Sequence, residues 1–274
     1  MHPAALAPLL ALLVGIPSLR DHFPDSGSPT HEFLLVDSES GEVLRAEGAA
    51  GDELPSSGTG ETVPLPGHAW GDLARVVDAL AGLEDGILDA ETRVRCDSTC
   101  WAKGSHGEVG LVEALAWGCD TWWGAQGSRV PRASFVRHAR AIGFAPTDSA
   151  NASSLAAWVS FWRRLLHEDL HLAPNTSTQL LAAAGMSVSS PRGAARALDD
   201  PRRRTRAFVG GGPEGAWVVG SREVLGRVWV FALFLPGGSP ALAVARTDAL
   251  LEETRDIARR STAQRGGMPT NEPK

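Results

Sequence analysis

Arg227-Val-Trp-Val-Phe-Ala-Leu-Phe-Leu235 is apolar at every position after its first and rich in β-branched and aromatic residues. Successive side chains of a strand point to opposite faces, so a segment apolar on both must be covered on both. It is therefore predicted as the central strand of a sheet, with Gly215-Ala-Trp-Val-Val-Gly220 as its neighbour. Near the other end of the chain, His31-Glu-Phe-Leu-Leu-Val-Asp37 reads as a strand, Ser38-Glu-Ser-Gly41 as a turn, and Glu42 to Ala46 as the returning strand.

Between these strand pairs the apolar period changes. Leu73, Val76, Val77, Leu80 and Leu83 follow the i, i+3, i+4, i+7 spacing of an amphipathic helix, led in by Pro64-Leu-Pro-Gly-His-Ala-Trp-Gly-Asp72 and ended at Gly82 and Gly86. Further helices are expected over 108–118, 134–142 and 154–167, with a closing helix over 247–260. Strand pair, helices, strand pair and helix make an α/β (α+β) chain whose antiparallel sheet takes strands from both chain ends.

With 274 residues and 43% hydrophobic content, one substantial core can be buried. A net charge of −6 argues against a nucleic-acid partner, which calls for a basic face. The apolar run from Pro3 to Leu19 is short for a membrane span and lacks a basic leading segment. It is expected to be an export signal or weak anchor, the alternatives being a buried helix or a mis-assigned start. Residues 1–30 are accordingly set apart as signal or anchor plus linker, 31–260 as the folded domain, and 261–274 as a disordered polar tail.

Cysteines number three: Cys96, Cys100 and Cys119. Cys96 and Cys100 have spacing suited to a zinc site completed by Cys119 and His106. In an exported chain a Cys96–Cys100 disulfide with Cys119 as a buried thiol is simpler, and it is the expectation, with no metal and no cofactor.

Several segments, in order, resemble the transpeptidase domain of penicillin-binding proteins and the class D β-lactamases. Leu35 to Leu44 is similar to that family's opening strand pair. Pro66-Gly-His-Ala-Trp-Gly-Asp-Leu73 followed by Ala79-Leu-Ala-Gly-Leu-Glu-Asp-Gly-Ile-Leu-Asp89 is similar to its Pro-Gly-Ser-x-x-Lys segment and continuation. Val94-Arg-Cys96, Cys100-Trp101 and His106-Gly-Glu-Val-Gly-Leu-Val-Glu-Ala-Leu-Ala116 resemble the run before its Ser-x-Asn motif. The resemblance implies a sheet flanked by a helical subdomain, a cell-envelope location, and peptidoglycan or an envelope protein as partner.

It also implies a site, and each of its positions is altered. The family's serine attacks an amide carbonyl, and a lysine three residues on takes its proton. Here those positions are His68 and Gly71. The two lysines of the chain, Lys103 and Lys274, follow Cys100 and Asn271 at that spacing, so no Ser-x-x-Lys exists in any register. The Ser-x-Asn position reads Gly118-Cys-Asp120, and Lys-Thr-Gly is replaced by Arg206-Ala-Phe-Val-Gly210-Gly211-Gly212-Pro-Glu214. A non-catalytic binding domain is the expected reading. The alternative is a divergent hydrolase with a centre rebuilt from a helical His68/Asp72 pair or from Cys100/Lys103.

Overall fold

The computed structural model describes residues 31–48, 67–97, 100, 105–144, 152–200 and 203–266. The N-terminal segment, Trp101, Lys103 and the end of the tail lie outside them.

Its main sheet has five antiparallel strands: β1 (Glu32–Asp37), β2 (Val43–Glu47), β7 (Thr205–Gly212), β8 (Gly215–Val224) and β9 (Arg227–Pro236), in spatial order β2-β1-β9-β8-β7. The expected hairpin is present, and β9 is central. Its side chains sort by parity as the pattern requires. Val230, Ala232 and Phe234 join the core beneath the helices, whereas Trp229, Phe231, Leu233 and Leu235 face the C-terminal helix α7 (Pro240–Gly266). That helix starts seven residues earlier than its apolar pattern suggested and runs past the expected boundary at 260.

On the other face lie α1 (Ala74–Glu84), α2 (Leu111–Trp117), α3 (Asp120–Ala125), α4 (Arg132–Ala141), α5 (Leu155–Leu166) and α6 (Pro174–Ser189). Helix α5 buries Leu155, Trp158, Val159, Phe161, Trp162 and Leu165, and the Ser154 hydroxyl accepts from the Ala157 amide to cap it. Two helices were not anticipated. Small residues make up much of α6, which leaves its apolar stripe weak, although Pro174 at its first turn is a start signal. Helix α3 is too short for periodicity to reveal.

Four short strands also escaped the pattern: β3 (His68–Ala69) pairs with β6 (Ala152–Ser153), and β4 (Val94–Cys96) pairs with β5 (Gly107–Val109). The second ladder corrects the helix expected from Glu108. Helix α2 begins only at Leu111, where the Glu113 carboxylate turns back to accept from the Gly110 amide at 3.1 Å.

Helix α1 carries one half-buried acid, Asp78, with a pH consequence. Burial pushes Asp78 up to about 6 from 3.8, against the pull of Arg132 and Arg75. Between those values the folded chain keeps a proton that the unfolded chain releases, so stability falls as pH rises through that window. Asp78→Asn removes the cost of the buried charge. It is expected to stabilise by on the order of 1–3 kcal/mol at pH 8 and to be neutral near pH 3.5, compared by urea unfolding.

Candidate functional site

The chain at His68–Ala69 is held extended, not helical. It pairs with β6, the Ala69 amide donates to Glu214 Oε2 at 2.9 Å, and Trp217 Nε1 donates to the Ala69 carbonyl at 2.8 Å. A 3-10 turn, Gly71–Leu73, then leads into α1. This corrects the helical placement of His68. Its ring stacks on Phe234 with centroids 3.9 Å apart, and its Nε2 lies 2.9 Å from Glu32 Oε1. The imidazole thus belongs to the edge of the sheet core. No His68–Asp72 pair forms, because the two residues are not one helical turn apart. Asp72 instead meets Arg75 at 3.1 Å.

Gly71, Asp120 and Gly210 to Gly212 do converge. Arg75 bridges Asp120 at 2.6 Å and Asp72 at 3.1 Å, which draws the start of α3 onto the start of α1. Both acids are about half exposed, at 47% and 50%, so these pairs position more than they stabilise, at about 0–1 kcal/mol each. Beside them the glycines of edge strand β7 lie directly on the 3-10 turn. A Cβ on Gly71 would stand 2.2 Å from the Gly211 carbonyl oxygen, and one on Gly210 would stand 2.6 Å from the Leu73 nitrogen. Gly71 also has φ of +52°, the left-handed region that favours glycine. Where a lysine side chain would be needed, backbone meets backbone. Arg206 does not replace the missing cation: it pairs with Ser221 near the far end of β7, several residues from the glycines.

Next to Asp120 the three cysteines come together. Cys96 ends β4, His106 precedes β5, and Cys119 follows Gly118, which closes α2 in a left-handed conformation at φ 65°. The sulfurs of Cys96, Cys100 and Cys119 and a ring nitrogen of His106 lie within 4.8 Å of one another, all buried. The expected Cys96–Cys100 disulfide is not formed. The β4–β5 ladder and the Gly118 turn gather the side chains into one cluster, so neither sulfur is set apart with the other as a pair. Burial pushes the Cys119 thiol up to about 12, and the neighbouring Cys100 and Cys96 sulfurs add to the shift. Burial, and then the charge of Arg192, hold the His106 imidazole below its ordinary value.

One further cluster invites a catalytic reading and does not support it. Ser134, His138 and Arg137 all bond Asp85, holding its carboxyl well below the usual carboxylate range. The carboxylate stands between hydroxyl and imidazole, so His138 is oriented by Asp85 and not towards the Ser134 proton. The group ties α1 to α4. Three concavities lie at the opposite end of the sheet, around Arg203, Arg206, Glu223, Leu225 and Trp229.

No protein-family model matches this sequence, and no curated protein does. Solved structures resemble it closely in fold. The BPu1 β-lactamase superposes with a TM-score of 0.62 at 14% identity, over 82% of this chain and 93% of that one. The class D β-lactamase BAT-2, as a delta mutant, gives 0.61 at 15% identity over 82% and 91%. The D,D-transpeptidase domain of a peptidoglycan glycosyltransferase from Eggerthella lenta gives 0.61 at 12% over 84% and 78%. At such identities the likeness establishes architecture: this chain has a β-lactamase/transpeptidase-like fold, as the order of its motifs implied.

Proposed function

We propose that this protein is a non-catalytic transpeptidase-like domain of the cell envelope that works by binding a peptidoglycan-related ligand or a protein partner. The observation that carries this reading is the closed seam between the 3-10 turn and β7. In a serine acyltransferase a nucleophile and its base need a shared space beside the substrate carbonyl. Here His68 is committed to Glu32 and Phe234, Gly71 rests on Gly211, and Asp120 presents a carboxylate beside Asp72. Arg75 offsets one of the two acids at that mouth, and the charge left over disfavours a ligand carboxylate. Among the described residues no helix is long and apolar enough to cross a membrane. The envelope location therefore rests on the fold and the N-terminal sequence.

The test is acylation. Purified full-length protein incubated with a fluorescent penicillin is expected to show no labelled band after denaturing electrophoresis. A band that disappears when the protein is boiled beforehand overturns the proposal. Turnover of a chromogenic β-lactam that is lost in His68→Ala or Cys100→Ala would instead support the rebuilt hydrolase.

A further inference from the structure

We propose that Cys96, Cys100, His106 and Cys119 bind one zinc ion in a closed structural site. Four ligand atoms from three separate segments of the fold converge within 4.8 Å, and all four residues are buried. A tetrahedral zinc with Zn–S of about 2.3 Å and Zn–N of about 2.0 Å needs its ligand atoms roughly 3.5–3.8 Å apart. Closing the cluster around an ion therefore takes about 1 Å of side-chain movement. The Cys96–Cys100 spacing, three intervening residues, falls within the usual range for a pair of zinc thiolates.

His106 supplies an independent observation. Both its ring nitrogens are buried without a hydrogen-bond partner among the described residues, and the residue is only 7% exposed. Leaving such a group unpartnered costs on the order of a lost hydrogen bond or more, and coordination satisfies one nitrogen. A ring nitrogen lies within reach of the three sulfurs, and the ring makes an aromatic contact with Trp117.

A backbone donor also faces the cluster. The Asp120 amide donates to Cys100 Sγ at 3.1 Å, an orienting contact of the sort that steadies metal-bound sulfur. Three sulfurs and one imidazole favour zinc over harder cations, and four protein ligands leave no open position for a substrate. The ion is thus a fastener. It clamps the β4–β5 ladder to the turn at Gly118 and thereby places Asp120 beside Arg75. This inference stands whether or not the domain is catalytic.

Reduced full-length protein, stripped with a chelator and titrated with cobalt(II), is expected to develop the strong visible absorption of a tetrahedral thiolate site, saturating at one equivalent. Zinc should displace the cobalt, and removal of zinc should lower the melting midpoint by roughly 10 °C. His106→Cys is expected to keep the tetrahedral spectrum, whereas His106→Ala and Cys119→Ser each weaken binding at least ~10-fold. The cobalt titration of the unaltered chain stays decisive if a variant fails to fold. No saturable tetrahedral spectrum overturns the proposal. So does binding that is unchanged in both loss variants, or a disulfide joining two of the cysteines in protein isolated from its native compartment.

Discussion

Gly71→Ala is expected to destabilise the domain by about 3–4 kcal/mol, one of the largest single-site effects short of removing a core aromatic. Two causes act together. A non-glycine residue in the left-handed region costs roughly 1–2 kcal/mol. The new methyl would also stand 2.2 Å from the Gly211 carbonyl oxygen, so the 3-10 turn must part from β7. Gly86 separates the two causes, because it has φ of +65° but nothing within 4 Å of its would-be Cβ. Gly86→Ala should therefore lose only the conformational part, about 1 kcal/mol. Urea unfolding of both variants checks this, and equal losses would show that close approach to β7 contributes nothing. A corollary concerns revival. The double replacement His68→Ser with Gly71→Lys restores the motif in letters but is expected to show no penicillin acylation, because the lysine stem has no room beside Gly211.

Arg222→Ala is expected to cost about 3–5 kcal/mol. Its side chain is 1% exposed, yet it is satisfied on every side. Nε donates to Thr205 Oγ1 at 3.1 Å, and Nη2 donates to the Leu198 carbonyl at 3.0 Å and to Asp248 Oδ1 at 2.9 Å. Nη1 reaches Glu252 Oε1 at 3.3 Å. One guanidinium thereby fastens β8 to β7, to the turn at Leu198 and to α7. Alanine leaves a cavity and strands the Leu198 carbonyl. Arg222→Met keeps much of the packed stem, and the partly exposed Asp248 and Glu252 can turn to water, so about half the loss should be recovered. Chemical denaturation of the pair decides the matter. If methionine is as damaging as alanine, the charge network, and not the packing, holds the helix to the sheet.

Several parts of this architecture were legible as pattern. The two-faced apolar run of β9 demanded a covered central strand; the hairpin at the other end supplied one neighbour, β1, and the segment around Gly215–Gly220 the other, β8. The spacing of Trp158, Val159, Trp162 and Leu165 marked α5. What misled was the segment around His68. Its residues sit where an amphipathic helix would begin, but the two-residue ladder with β6 and the bonds to Glu214 and Trp217 hold it extended. Those partners lie far along the chain, so no local signal announces them.

The loss of the acylating serine and lysine is a matter of sequence alone, since side chains that are not encoded cannot be placed by any fold. Whether the vacated positions had been rebuilt into another centre was a question of distance, and only the tertiary structure could address it. It sends His68 to Glu32 and Phe234, and it sets Gly71 backbone-to-backbone against Gly211. The cysteines divide in the same way. Their number and spacing allowed either a disulfide or a metal site, because covalent pairing and ligation ask for similar separations along the chain. The β4–β5 ladder and the left-handed turn at Gly118 bring three sulfurs and one imidazole to a common point, and convergence of that kind exists only in three dimensions.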